Sequence, residues 1–147
     1  MSQADTKHMA RALLLAQGQR GRTGKNPAVG CVITGADGQV LSEAATGDGG
    51  TLHAEQLALD FLGGKAPGAT AYVTLEPCRA RSTDGQSCSE RLLSAGIARL
   101  VCAIQDVHPN GAGGLERLRT ANIAVETGLL ADEAEILYAD FFAANRA

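Results

Sequence analysis

Three residues able to bind a soft divalent metal ion, and one carboxylate able to move a proton, are grouped in two short stretches of the sequence. His53 and Glu55 fall in "TLHAEQLAL", residues 51–59, and Cys78 and Cys88 bracket a polar loop in "TLEPCRARSTDGQSC", residues 74–88. One His nitrogen and two thiolates fill three corners of tetrahedral zinc and leave the fourth open. Water at an open corner becomes acidic, its pKa falling toward ~7. Residues two positions apart on a helix project about 200° from one another, so His53 and Glu55 share a target off the helix end and not along its side. That suits a carboxylate beside the water, taking a proton from it and returning it to a substrate nitrogen. The remaining candidates for a closed, four-ligand site are His8, His108, Cys31 and Cys102. Cys31 and Cys102 lie in apolar runs and read as core; His8 reads as a surface residue and His108 as a pocket residue.

These groups work together only if the fold gathers them. Met9, Ala12, Leu13 and Ala16 recur at helical spacing, with Leu14 and Leu15 widening the stripe, which predicts a helix from about Asp5 to Gln19. A Gly-rich basic loop, "GQRGRTGKNP", leads to a strand at "AVGCVIT", a turn at "GADG" and a return strand at "QVLSEAA". A second helix follows, with Ala54, Leu57, Ala58, Phe61 and Leu62 as its apolar face and "GGKAPG" as its stop. Next come a strand at "ATAYVTL", a helix near "SERLLSAG", a strand at "IARLVCAI", a helix at "LERLRTAN", a short strand at "IAVETG" and a final helix in "LLADEAEILYADFFAANR". The "GAGG" of residues 111–114 lacks the strand-adjacent dinucleotide pattern and reads as a helix-entry turn.

The order αββαβαβαβα predicts an α/β fold, a three-layer α/β/α sandwich. Its mixed five-stranded sheet has a hairpin at one side, parallel strands at the other and helices on both faces, in one domain over residues 1–147. In such sheets, sites form beyond the carboxyl ends of strands, near helix N-termini. His53 opens the second helix, Cys78 follows a strand end and Cys88 starts the next helix, so all three point to that edge. A thiolate at a helix N-terminus is also favoured by the helix dipole.

Composition narrows the class. Hydrophobic residues at 45% and charged residues at 20% belong to an ordinary globular protein. A net charge of −3 gives no whole-surface attraction to nucleic acid or to an anionic membrane. Aromatics at 3%, with no Trp, argue against a base-stacking platform. No apolar run approaches the ~18–20 residues of a membrane helix, and the first residues lack a signal peptide's apolar stretch and cleavage site. A cytoplasmic protein is expected, in which paired Cys point to metal or redox chemistry and not to disulfides.

"HAE", "EPC" and a later Cys resemble the zinc-dependent cytidine and nucleobase deaminase superfamily, whose signature is H-x-E with P-C-x-x-C. The longer loop between the cysteines is similar to that of one branch, the riboflavin-biosynthesis pyrimidine deaminase (diaminohydroxyphosphoribosylaminopyrimidine deaminase). "MARALLLA", "NPAVGCVI", "GATAYVTLEPC", "AGIARLV", "DVHP", "GAGGLERLRTANIAVETGLL" and the terminal "FF" resemble that branch in order, over nearly the whole chain. The resemblance implies the cytidine deaminase type of fold, without the reductase domain that the riboflavin enzyme often carries. It implies zinc held by His53, Cys78 and Cys88, attack by metal-bound hydroxide on the amino-bearing ring carbon, Glu55 as proton shuttle, and loss of ammonia. It also implies substrate contacts from the backbone at Ala54 and from Asn26 and Asp106, with a phosphoribosylated aminopyrimidine as substrate and a homo-oligomer, dimer or tetramer, as the assembly.

The sequence departs from the branch where the ribose phosphate is expected. Thr46 stands seven residues before His53 in place of a His, His108 replaces the Asn of D-P-N-P, and "RARSTDGQS" lacks the branch's His and Pro pair. Thr46 and His108 are therefore candidate substrate contacts, and Arg81, with Arg79, offers a planar fork of donors to a phosphate. Arg20, Arg22 and Lys25 form a second basic cluster near Asn26. Deamination of another small nucleobase, nucleoside or pterin-like amine is the alternative that these departures leave open. A non-catalytic zinc-stabilised module is a further one, against which Glu55 counts, because a structural site has no use for a carboxylate that is not a ligand.

Overall fold

Among the described residues, five short strands rich in Val, Ile, Ala and Thr form one sheet. A computed structural model describes residues 1–80, 86–107 and 112–145. In chain order the elements are α1 (Gln3–Gln19), β1 (Gly30–Thr34), β2 (Val40–Ala45), α2 (Ala54–Phe61), β3 (Thr70–Leu75), α3 (Cys88–Ala95), β4 (Arg99–Ile104), α4 (Gly114–Thr120), β5 (Ala124–Thr127) and α5 (Ala131–Asn145). The strands lie in the order β2-β1-β3-β4-β5. β1 pairs antiparallel with both β2 and β3, and β3, β4 and β5 run parallel. The predicted hairpin and parallel half are both present, since parallel neighbours require a crossover and helices supply it here.

Strand alternation sorts the core into two layers. Cys31, Ile33, Ala71, Val73, Leu100 and Cys102 pack with Ala58 and Leu59 of α2, Leu92 of α3, and Leu115 and Leu118 of α4. Val32, Tyr72, Val101 and Ala103 pack with Met9, Ala12 and Leu13 of α1 and with Tyr138 and Phe142 of α5. α1 lies so close to β1 that a Cβ on Gly30 would come within 1.8 Å of the Ala12 carbonyl oxygen. Among the described residues no helix is long and apolar enough to cross a membrane.

Three details differ from the sequence pattern. The buried residues of α2 are Ala54, Glu55, Ala58 and Leu59, and Phe61 is 78% exposed. At 100° per residue the buried arc is rotated by roughly 60° from the purely apolar face, toward Glu55 and Leu59. The helix is thus oriented by its polar N-terminal end as well as by its apolar residues. Leu14 of α1 is exposed and does not widen the stripe. His8 is partly buried, its ring centroid 5.1 Å from that of Tyr72.

Asp5 fastens α1 to the far end of the sheet. It closes a capping box with Ser2, the Asp5 N–H donating to Ser2 Oγ and the Ser2 N–H to Asp5 Oδ2. Its carboxylate also accepts two bonds from the Arg99 guanidinium, at 2.9 and 2.8 Å, and one from the Tyr72 hydroxyl at 2.6 Å. Arg99 above all, then Tyr72, hold the Asp5 carboxyl far below the usual carboxylate range, against the opposing effect of burial. A depressed carboxyl pKa stabilises the fold fully above the unfolded value of about 3.9 and progressively less as pH falls below it. Asp5→Asn is therefore expected to lower stability by about 2–3 kcal/mol at neutral pH. In urea unfolding measured against pH, the gap from wild type should persist down to about pH 5 and narrow in more acidic solution.

Candidate metal centre and active site

The parallel strands end where β1 begins. Gly30 pairs with Ala45 at the end of β2, and the Gly30 N–H donates to the Thr74 hydroxyl near the end of β3. The loops around residues 22–29 and 46–53, the chain after Leu75 and the chain after Ile104 therefore meet at one edge of the sheet.

His53 is the N-cap of α2, in an extended conformation and without a side-chain capping bond, so its ring is directed by other contacts. Cys88 is the first residue of α3. Ser87 precedes it as N-cap, accepting from the Glu90 N–H while the Glu90 carboxylate accepts from the Ser87 N–H. Cys78 lies just beyond β3, and the same helix end seats it: the Cys88 N–H donates to Cys78 Sγ at 3.2 Å and the Ser89 N–H to the Cys78 carbonyl at 3.1 Å.

The three donor atoms converge. His53 Nδ1 is 3.2 Å from Cys88 Sγ and 3.8 Å from Cys78 Sγ, and all three ligand atoms lie within 4.8 Å of one another. Tetrahedral zinc with ordinary bond lengths separates a His nitrogen from a thiolate by about 3.6 Å and two thiolates by about 3.8 Å. The donor set fits zinc in number, chemistry and spacing. Bonds from the Cys88 thiol, the His53 ring and the Cys88 N–H bring Cys78 down to about 4, so it is a thiolate at neutral pH. Cys88 is fully buried. Cys31 and Cys102 are buried too, and burial raises both thiols, as expected of core residues.

Glu55, in the first turn of α2, is 3% exposed. Burial first, and then the Cys78 negative charge, push its carboxyl up to about 7, opposed by His53. A group poised there both accepts and returns a proton near neutral pH.

The other sequence candidates occupy this edge in different ways. Ala54 is buried at the start of α2. Asn26 is exposed and donates through Nδ2 to the Gly50 carbonyl at 2.8 Å, which ties the "NP" loop to the loop before α2. Thr46 is 2% exposed, and its hydroxyl accepts the Val29 N–H at 2.9 Å. Asp106 is partly buried just beyond β4. Arg81 and His108 lie outside the described residues. Arg22 pairs with Asp48 at 3.2 Å and Arg20 with Asp140 at 3.6 Å, so part of the basic cluster has acidic partners.

Sequence reasoning passed over Glu76 and Tyr138. The buried Glu76 carboxylate accepts the N–H groups of Asp106, Gly113 and Leu115, at 3.1, 2.9 and 3.1 Å, and so joins the end of β3 to the loop carrying Asp106 and to the start of α4. An acidic residue between an apolar strand and Pro-Cys was the available signal. The Tyr138 hydroxyl, reaching from α5, donates to the Ala28 carbonyl at 2.7 Å and lies 2.6 Å from the Thr74 hydroxyl, beneath the "NPAVG" loop. A lone phenol on an apolar helix face was its signal.

Comparison with known proteins agrees with this geometry. Residues 2–104 match the family described as "Cytidine and deoxycytidylate deaminase zinc-binding region". The chain is 49% identical over 140 residues to riboflavin biosynthesis protein RibD of Escherichia coli (strain K12), covering 93% of this chain and 37% of that protein. A crystal structure of the diaminohydroxyphosphoribosylaminopyrimidine deaminase/5-amino-6-(5-phosphoribosylamino)uracil reductase of Thermotoga maritima superposes with a TM-score of 0.89 at 32% identity, over 97% of this chain and 41% of that one. A structure of Acinetobacter baumannii RibD gives a TM-score of 0.87 at 41% identity, over 96% and 40%. The chain thus spans well under half the length of these relatives.

Proposed function

This chain belongs to the cytidine and deoxycytidylate deaminase zinc-binding family, and on that premise we propose that it hydrolyses the ring amine of a phosphoribosylated aminopyrimidine on the route to riboflavin, releasing ammonia. The observation that carries this reading is a group of three metal-ligating side chains with a buried carboxylate beside it. His53, Cys78 and Cys88 are the residues that would hold zinc. Zinc held there would supply a Lewis acid and make water nucleophilic near neutral pH. Glu55 takes a proton from water and returns it to the substrate. One water is consumed, the ring C–N bond breaks, a ring carbonyl replaces the amine and the nitrogen leaves as ammonia.

The backbone at Ala54 orients the ring, and Asn26, Thr46, Asp106, Arg81 and His108 are assigned to the substrate side. The Thr46 hydroxyl, engaged with the Val29 N–H, contributes there chiefly by fixing the loop. Residues 1–147 are taken as one deaminase domain that works as a homo-oligomer in the cytoplasm, where thiolate ligands stay reduced. The RibD relatives support the pyrimidine as substrate. A panel of aminopyrimidines with and without the 5′-phosphoribosyl group tests it: ammonia release should be fastest with the phosphorylated compound. Turnover of a free base, nucleoside or pterin-like amine, with none of the phosphoribosylated compound, would assign the site a different substrate.

A further inference from the structure

Cys78 and Cys88 can share a metal ion only if the chain leaving the first and the chain entering the second are held together. α4 does this from outside the sequence motif. A Cβ on Gly114 would come within 1.8 Å of the Pro77 carbonyl oxygen, and one on Gly113 within 2.8 Å of Arg79 Cδ. The helix start is therefore pressed against Pro77–Cys78–Arg79 as closely as glycine permits. Further along the same helix, Arg117 Nη1 lies 2.8 Å from the Arg79 carbonyl oxygen, 3.0 Å from Ser87 Oγ and 3.1 Å from Ser89 Oγ, and its two N–H groups are shared among the three acceptors. Arg79 directly follows one cysteine, and the two buried serines flank the other. Glu90, in the first turn of α3, lies 3.5 Å from the same nitrogen. These contacts all converge on one nitrogen of a guanidinium that stays charged at any working pH, so the bonds to the Arg79 carbonyl and to the two serines are charge-assisted and are made from a single point.

We propose that Arg117 is a positioning residue for the metal centre, setting the separation of the Cys78 and Cys88 thiolates by cross-linking the backbone after the first to the serines beside the second. The inference rests on the reading of His53, Cys78 and Cys88 as zinc ligands. It makes α4, which contributes no ligand, part of what retains the metal.

The test uses the zinc-loaded full chain as wild type, Arg117→Met, Arg117→Lys and, as control, Arg119→Met. Arg119 lies on the same helix and pairs with Glu116 at 3.6 Å in solvent. Zinc release into a chelator is followed, together with the melting temperatures of the zinc-loaded and zinc-free forms. Loss of a residue that orients metal ligands weakens metal binding about 10–100-fold, so release from Arg117→Met should quicken by that factor. Arg117→Lys should fall between it and wild type, and Arg119→Met should match wild type. The loaded form of Arg117→Met should lose more melting temperature than the zinc-free form. Should Arg117→Met fail to fold, Arg117→Lys carries the comparison alone. Unchanged release, equal acceleration in Arg119→Met, or equal destabilisation of loaded and zinc-free forms would overturn the proposal. Wild type that takes up no zinc would instead overturn the metal reading, and this inference with it.

Discussion

Glu55→Gln is expected to slow ammonia release by on the order of 10²–10⁴-fold while zinc content stays at the wild-type level. The loss corresponds to about 2.7–5.5 kcal/mol of transition-state stabilisation. Glutamine keeps the shape and the burial but has no site for the proton that must leave water and reach the substrate nitrogen. Glu55 is raised to about 7 by burial and by the Cys78 charge, and a carboxyl raised above its unfolded value of about 4.3 weakens the fold at higher pH. In the zinc-free form Glu55→Gln should accordingly melt no lower than wild type, which separates a lost proton carrier from a damaged fold. Activity within about tenfold of wild type would remove Glu55 from the proton-transfer role.

Cys78→Ala is expected to abolish both zinc retention and activity. The thiol is held as a thiolate by bonds from Cys88 and His53, and without it only two donors remain, too few for a site that needs three. Metal binding is also folding energy where the ligands come from separate elements, and here they come from the start of α2, the chain after β3 and the start of α3. The zinc-loaded wild type should therefore melt above Cys78→Ala, and the zinc-free proteins should melt close together. Metal analysis after desalting, with parallel melts, reads both effects. A variant that keeps stoichiometric zinc would mean that Cys78 is not a ligand.

Much of this was legible in the chain because it depends on local pattern. The element order follows from helix and strand periodicities and from Gly and Pro punctuation. His53, Cys78 and Cys88 could be grouped because each sits at a strand end or a helix start, where open α/β sheets place their sites. What was not legible depends on contacts distant in sequence. Periodicity placed Phe61 in the core, but α2 is turned so that Glu55 is buried and Phe61 faces solvent. Glu76 reads as an ordinary charge until the loop after β4 folds back to give it three N–H donors. Arg117 looks like a solvated helix residue until α4 packs on the cysteine loop. Asp5 and Arg99, 94 residues apart, show no sign in sequence that they meet.

The most direct test is a zinc titration of the metal-stripped full chain, with ammonia release from the phosphoribosylated aminopyrimidine measured at each point. The expected result is no activity without metal, then a linear rise that levels at about one zinc per chain. Full activity in the stripped protein, or a chain that takes up no zinc from solution, would contradict it.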